Sequence, residues 1–475
     1  MNKTEKWLNL GLGLYLAFLP WQTRLILDQW SLGKNFTEYA TLSLYATDLI
    51  LLAVFLASLF LPGLYPTRHE SHGESGGLTG QKKIKTAILA LLIVIFGSII
   101  FADQVAVVIF SIKVLIIGLI LYSLLQQKWA GPRFLLACFL AGVILQAIIG
   151  IFQFIFQTTP VISWLGMASH DPGLAGTSVI EAGGMRWLRA YGSLPHPNIL
   201  GGYLAVGLLV AFGFYLKIYE KVRAGFSRWT RENVKKHLEG RRWYVNQALK
   251  ISGLVLAGAI LTLGLLLTFS RSAWLGFAIA WLVILGVLLM KKIPWGWALW
   301  LKWTVFMAVV AIIIIAALPQ AFLTRAQTNT RLEEQSVQVR KNLYQDAWTL
   351  IKKEPLRGVG YGNMVVAVYD RLDSGRNTIS DYQPVHNIYV LSAVELGLIG
   401  GLVFLIFIFV VLKTAITKVF RAPSPEHLTI LGMFICLLVI GFFDHYLWTL
   451  SAGVGIFWLV VGMISKEGFL AALDG

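Results

Sequence analysis

His386 and Asn387 stand directly before a long apolar run, and nine residues further on that run carries Gly397-Leu-Ile-Gly400. An asparagine at such a boundary accepts from the orphan N–H groups of a helix start, which puts His386 one position earlier, at a polar interface. An imidazole with an unperturbed pKa of about 6.5 exchanges a proton near neutral pH, so His386 is a candidate general base. On its own it is equally an ordinary polar residue of an interfacial loop, and the case depends on what accompanies it. Three other stretches do: Gly192-Ser-Leu-Pro-His196-Pro-Asn198-Ile-Leu-Gly201, Thr268-Phe-Ser270-Arg271-Ser272, and Arg340 followed by Gly358-Val-Gly360-Tyr-Gly362-Asn363. The last is not a nucleotide loop, since it lacks a strand-like run before it and a Lys-Ser/Thr after it. The connections hold no Asp-x-Asp pair and no sequence cluster of His and Asp, so no metal site is expected.

Membrane helices must position these residues. Of 475 residues 57% are apolar and only 13% charged, with a mean hydropathy of +0.71, which excludes a soluble protein of two or three domains. The net charge of +16 does not indicate a nucleic-acid partner, because the basic residues are spread between apolar runs instead of forming one face. Cys138 and Cys436 lie inside apolar runs and offer no disulfide framework. The first apolar run follows Lys3 and Lys6 but no small-x-small cleavage site follows it, so it reads as a retained helix. A span needs about 20 apolar residues. Twelve segments qualify, near 7–25, 43–65, 86–102, 104–125, 134–156, 197–219, 251–269, 273–290, 302–322, 388–412, 427–447 and 449–464. The expected fold class is therefore all-α: one polytopic transmembrane domain over residues 1–475 with about twelve helices and both termini cytoplasmic.

Orientation follows from the stretch 217–250, read as a basic cytoplasmic loop. It carries Lys217, Lys221, Arg223, Arg228, Arg231, Lys235, Lys236, Arg241, Arg242 and Lys250 against three glutamates. The opposite face then receives 28–42, 157–196, the Ser270-Arg271-Ser272 turn and a long extracytoplasmic connection, 323–387. Within that connection Leu343, Tyr344, Ala347, Trp348, Leu350 and Ile351 recur at helical spacing, predicting an amphipathic helix from Arg331 to Glu354 that Pro355 ends. Arg68 to Lys83 is glycine-rich and reads as a linker. Asp48, Lys113, Glu395 and Asp444 are charges within apolar spans, where isolation is costly, so Lys113 is expected to face a carboxylate that the sequence does not name.

The His-Asn-x9-Gly-x-x-Gly stretch, the Ser-Arg-Ser turn, the His-Pro-Asn-x-x-Gly helix start and the arginine followed by Gly-x-Gly-x-Gly-Asn resemble the signatures of the O-antigen ligase and O-antigen polymerase superfamily, and they occur in that family's order. The resemblance covers roughly residues 190–405 by motif and the whole chain by topology. It implies a membrane glycosyltransferase of the all-helical kind, acting without ATP, cofactor or metal. Such an enzyme transfers an oligosaccharide or polysaccharide from polyprenyl pyrophosphate to a glycan, lipid or protein acceptor, at the outer face of the cytoplasmic (inner) membrane. A ligase is the first expectation; a polymerase or a protein O-oligosaccharyltransferase of the same superfamily is the alternative. In that setting His386 takes the acceptor's proton, while Arg271 and Arg340 offset the pyrophosphate charge with planar forks that match phosphate oxygens. Arg24, Arg186, Arg189, His196 and Asn387 are the further candidates for substrate binding, although the arginines equally suit snorkelling and the other two suit helix capping. The rival class, a transporter or lipid flippase, calls for paired broken helices near the midplane, whereas the polar chemistry here gathers at one interface.

Overall fold

The computed structural model describes residues 1–60, 79–229, 237–327, 331–372 and 381–467. The chain runs α1 (Lys3–Phe18), β1 (Arg24–Leu32), β2 (Asn35–Tyr45), α2 (Ala46–Leu59), α3 (Gly80–Gly97), α4 (Val105–Leu125), α5 (Pro132–Phe156), β3 (Val179–Ala182) and β4 (Met185–Leu188). There follow α6 (Pro197–Trp229), α7 (His237–Leu267), α8 (Arg271–Met290), α9 (Pro294–Ala317), α10 (Pro319–Ala326), α11 (Arg331–Lys353), α12 (Met364–Arg371), α13 (Ile388–Arg421), α14 (Pro425–Gly441), α15 (Tyr446–Thr449) and α16 (Ser451–Ser465). Each apolar run of the sequence becomes a helix because a helix satisfies its own backbone groups, the condition lipid imposes on a single segment. Among the described residues eight helices are long and apolar enough to cross a membrane, and α2, α14 and α16 are shorter apolar helices.

Burial sorts these helices. α6 is enclosed along most of its length by α5, α7, α8 and α14, so it forms the axis of the core. α9 instead leaves Val305, Val309, Ile312 and Ile313 exposed, an apolar face that fits lipid and not water. The charge at Lys113 finds its carboxylate in Asp48, and this ion pair ties α4 to α2.

Three expectations are corrected. The fold is mostly helical but not all-α: β1 and β2 pair antiparallel around Gly33, whose φ of +63° supplies the left-handed turn, and β3 pairs with β4. The segment read as starting a span at residue 43 is still strand through Tyr45. Within the basic 217–250 stretch α6 continues to Trp229 and α7 begins at His237; 230–236 lie outside the described residues. Of the glycine-rich linker, 68–78 lies outside the described residues, whereas Lys82 and Lys83 belong to α3. The amphipathic helix is present as α11, with Leu343, Ala347, Leu350 and Ile351 buried and Trp348 58% exposed.

Candidate active site

The glycine motifs explain how His386 is placed. α13 is broken at Gly397 (φ +72°, ψ 171°), which leaves carbonyls of its first segment without helical partners. The Gly358–Gly362 turn supplies those partners: Val359 N donates to Val394 O at 3.0 Å and Gly360 N to Glu395 O at 2.9 Å, while Leu398 N donates back to Pro355 O at 2.8 Å. Only glycine permits this approach, since a Cβ on Gly397 would lie 2.2 Å from Leu356 O and one on Gly358 2.4 Å from Glu395 O. The Glu395 carboxylate, otherwise costly at this depth, accepts from Trp448 Nε1 at 2.8 Å. The result is a short, fixed helix start, Ile388 to Leu396. Asn387 caps it as the sequence predicts, its Oδ1 accepting from Tyr389 N and Val390 N at 2.9 and 3.1 Å. Tyr344 of α11 accepts from Asn387 Nδ2 at 3.2 Å, which docks the amphipathic helix on the same point.

His386 does not face open water. Its side chain is only 18% exposed, and its Nδ1 lies 3.8 Å from Oδ1 of Asp444, in the connection between α14 and α15. Nε2 donates to Gln383 Oε1 at 3.2 Å, and Nδ1, sealed from solvent, has no hydrogen-bond partner among the described residues. Asp444 is held on both sides: His445 N donates to Oδ1 at 2.9 Å and Asn198 Nδ2 to Oδ2 at 3.1 Å. Asn198 Oδ1 accepts from Arg189 at 2.8 Å, and Arg189 Nε donates to Thr268 O at 2.7 Å. His196 lies in the same wall, Nδ1 accepting from Asn198 N at 3.1 Å and Nε2 donating to Ser178 Oγ at 2.9 Å, so it does cap the start of α6.

These groups border a cavity of about 600 Å³, walled by His386, Asp444, His445, His196 and Ser193 and also by Arg24, Glu38 and Tyr39 of the β1–β2 hairpin, with Tyr39 Oη 3.5 Å from His445 Nε2. Burial lowers the His386 pKa, with Arg340 adding to the effect and Asp444 opposing it. Burial takes His196 and His445 down to about 3. Burial works against the Asp444 carboxylate, but His386, His445 and His196 outweigh it and hold the group below its usual range. The site thus sets three imidazoles around one carboxylate.

The arginines divide. Arg24 lines the cavity, with its guanidinium on both oxygens of Glu38 and 3.2 Å from Tyr45 Oη. Arg271, at the start of α8, donates to Glu333 Oε2 at 2.8 Å, and Arg325 holds the other oxygen of Glu333. Arg340, on α11, acts electrostatically on both Arg325 and His386, and neither Arg271 nor Arg340 lines the cavity. Arg189 is buried and ties the chain before α6 to the end of α7, a structural role in place of a surface one. Arg186 is exposed on β4, opposite Glu181, and away from the cavity. The sequence reading missed Glu333, His445 and the role of Asp444, which it marked only as a charge in an apolar run. It also expected no clustered His and Asp set; the fold assembles one, with ligand atoms of His386, Asp444 and His445 all within 4.8 Å of one another.

Residues 256–405 match the family model described as O-antigen ligase. That match covers Arg271, Arg340, the glycine turn, His386 and Gly397–Gly400, so about a third of the chain is similar to the O-antigen ligase family. His196 and Asp444 stand outside the matched segment. No curated protein sequence matches the chain.

Proposed function

We propose that the chain transfers an oligosaccharide or polysaccharide from a polyprenyl pyrophosphate carrier to an acceptor hydroxyl, as an O-antigen ligase, at the outer face of the cytoplasmic membrane. The observation that carries this reading is the imidazole of His386 on the cavity wall, 3.8 Å from the Asp444 carboxylate and under the electrostatic influence of Arg340. The acceptor oxygen attacks the anomeric carbon, the bond from that carbon to the pyrophosphate oxygen breaks, and the hydroxyl proton passes to His386. Asp444 then stabilises the imidazolium, as a carboxylate beside a catalytic histidine does elsewhere. Arg271 and Arg340 offset the charge that grows on the leaving pyrophosphate. Arg24 serves as a binding group in the cavity, and Asn387 and His196 hold the helix starts that border it. The chemistry asks for no nucleotide and no divalent metal.

The test is transfer by purified protein supplied with lipid-linked glycan and a candidate acceptor. His386→Ala is expected to lower turnover by roughly a hundredfold to ten-thousandfold with donor binding retained. Wild-type transfer in that variant would remove His386 from the mechanism, and translocation of the lipid without transfer would favour a flippase.

A further inference from the structure

We propose that His386, Asp444 and His445 form a binding site for a divalent transition-metal ion, zinc by preference, and that filling it silences the enzyme by occupying the base. The second half rests on the transferase reading above; the first does not.

The three side chains present the right atoms. His386 directs Nε2–H to Gln383 Oε1, so its lone pair is on Nδ1, the buried nitrogen that has no hydrogen-bond partner among the described residues and faces Asp444 Oδ1. Thr449 Oγ1 lies 2.8 Å from His445 Nδ1 and 3.3 Å from the His445 carbonyl; with Nδ1–H directed to Thr449 the lone pair is on Nε2, where Tyr39 Oη stands at 3.5 Å. Two acceptor atoms, Nδ1 and a carboxylate oxygen, thus confront each other at 3.8 Å with no hydrogen between them, an arrangement that attracts a cation. A tetrahedral zinc bonded at about 2.0–2.1 Å separates its ligand atoms by about 3.4 Å. The observed separations, none above 4.8 Å, close to that value with small side-chain movement.

The surroundings resemble the outer shell of a metal centre. Ligating imidazoles are usually oriented through their other nitrogen, and ligating carboxylates through their other oxygen. Here Gln383, Thr449 and Asn198 fill those three places. His196 stands outside the trio whose ligand atoms are mutually close, and its nitrogens anchor Asn198 N and Ser178 Oγ. Two imidazoles and one carboxylate suit zinc better than magnesium or calcium, which prefer all-oxygen sets. An ion on His386 Nδ1 puts positive charge on the ring that must take up the acceptor's proton and draws Asp444 away from stabilising that imidazolium, so the same residues serve either catalysis or metal, not both.

The experiment uses full-length protein purified in detergent without a polyhistidine tag and stripped with chelator. Titration with zinc chloride should show one ion bound per chain, and His445→Gln and Asp444→Asn should each abolish it. Thr449→Val, which touches no ligand atom directly, should weaken binding by about ten- to a hundredfold. Absence of stoichiometric zinc, or binding unchanged in both ligand variants, overturns the site. In transfer assays the stripped protein should be active, lose activity as zinc binds and recover it with chelator. Full transfer by the zinc-loaded protein overturns the inhibitory role. A stripped protein that binds zinc yet transfers nothing with any donor counts against the transferase reading and leaves the binding result standing.

Discussion

Oδ1 of Asp444 lies 3.8 Å from Nδ1 of His386, and Asn198 fixes the carboxylate from its other side. Burial lowers the imidazole pKa, Asp444 raises it and Arg340 lowers it again. A base works only when deprotonated, so a lowered pKa keeps His386 competent below the ordinary value of about 6.5. The acid limb of kcat/KM should therefore fall below that value in the wild type. Asp444→Asn removes the opposing charge: the limb should move lower still, while turnover drops because the imidazolium loses its counter-charge. Arg340→Gln should move the limb upward. A pH–rate series on the three proteins checks this, and opposite displacements would defeat the electrostatic assignment.

Gly397 is the joint between the glycine turn and the helix that begins at Asn387. An alanine there meets φ +72° and ψ 171°, a region essentially reserved for glycine that costs about 1–3 kcal/mol, and places its Cβ 2.2 Å from Leu356 O. Gly397→Ala should lower the thermal midpoint in detergent and reduce transfer together. Gly286→Ala, in the interior of α8 where a Cβ meets nothing within 4 Å, should be neutral or stabilising by up to about 1 kcal/mol. Equal effects at both positions would mean that Gly397 has no special role in the break.

The apolar spans were legible because lipid demands long uninterrupted runs, a signal that survives without any knowledge of neighbours. The β1–β2 hairpin was not, because Leu25-Ile-Leu27 reads as a continuation of apolar character and hides the alternation of a strand. The Gly33-Lys34 turn was the signal available. His386, Asn387 and the glycines were found through local spacing. Asp444 could be seen as a charge in an apolar run, but its partner depends on the α14–α15 connection meeting the start of α13. Nothing local in the sequence marks Glu333, because its burial beneath Arg271 and Arg325 is a tertiary fact.

The proposed orientation puts Ser227 inside and α11 outside. In a background with Cys138 and Cys436 replaced, Gln335→Cys, at an exposed position of α11, should react in intact cells with an impermeant thiol reagent. Ser227→Cys should react only after the membrane is opened. The reverse pattern would invert the topology and put the cavity on the cytoplasmic side.

Arg271 and Arg340 separate charge from geometry. A lysine preserves one positive charge but loses the planar fork, and a compact ammonium cannot span two pyrophosphate oxygens as a guanidinium does. Arg271 also holds Glu333 against α8, at 2.8 Å, together with Arg325. Arg271→Lys should therefore weaken donor binding and loosen α11, visible as faster proteolysis between α10 and α11. Arg340 lies closer to the base in electrostatic terms and has no such bond to Glu333. Arg340→Lys should lower turnover with a smaller change in donor affinity, the pattern of a group whose contribution grows as the leaving group departs. Measuring donor binding and single-turnover transfer in parallel separates the two. If both lysine variants bind and transfer like the wild type, the arginines serve the fold alone, and the charge on the leaving pyrophosphate must be met from the cavity side, where Arg24 is the cation in place.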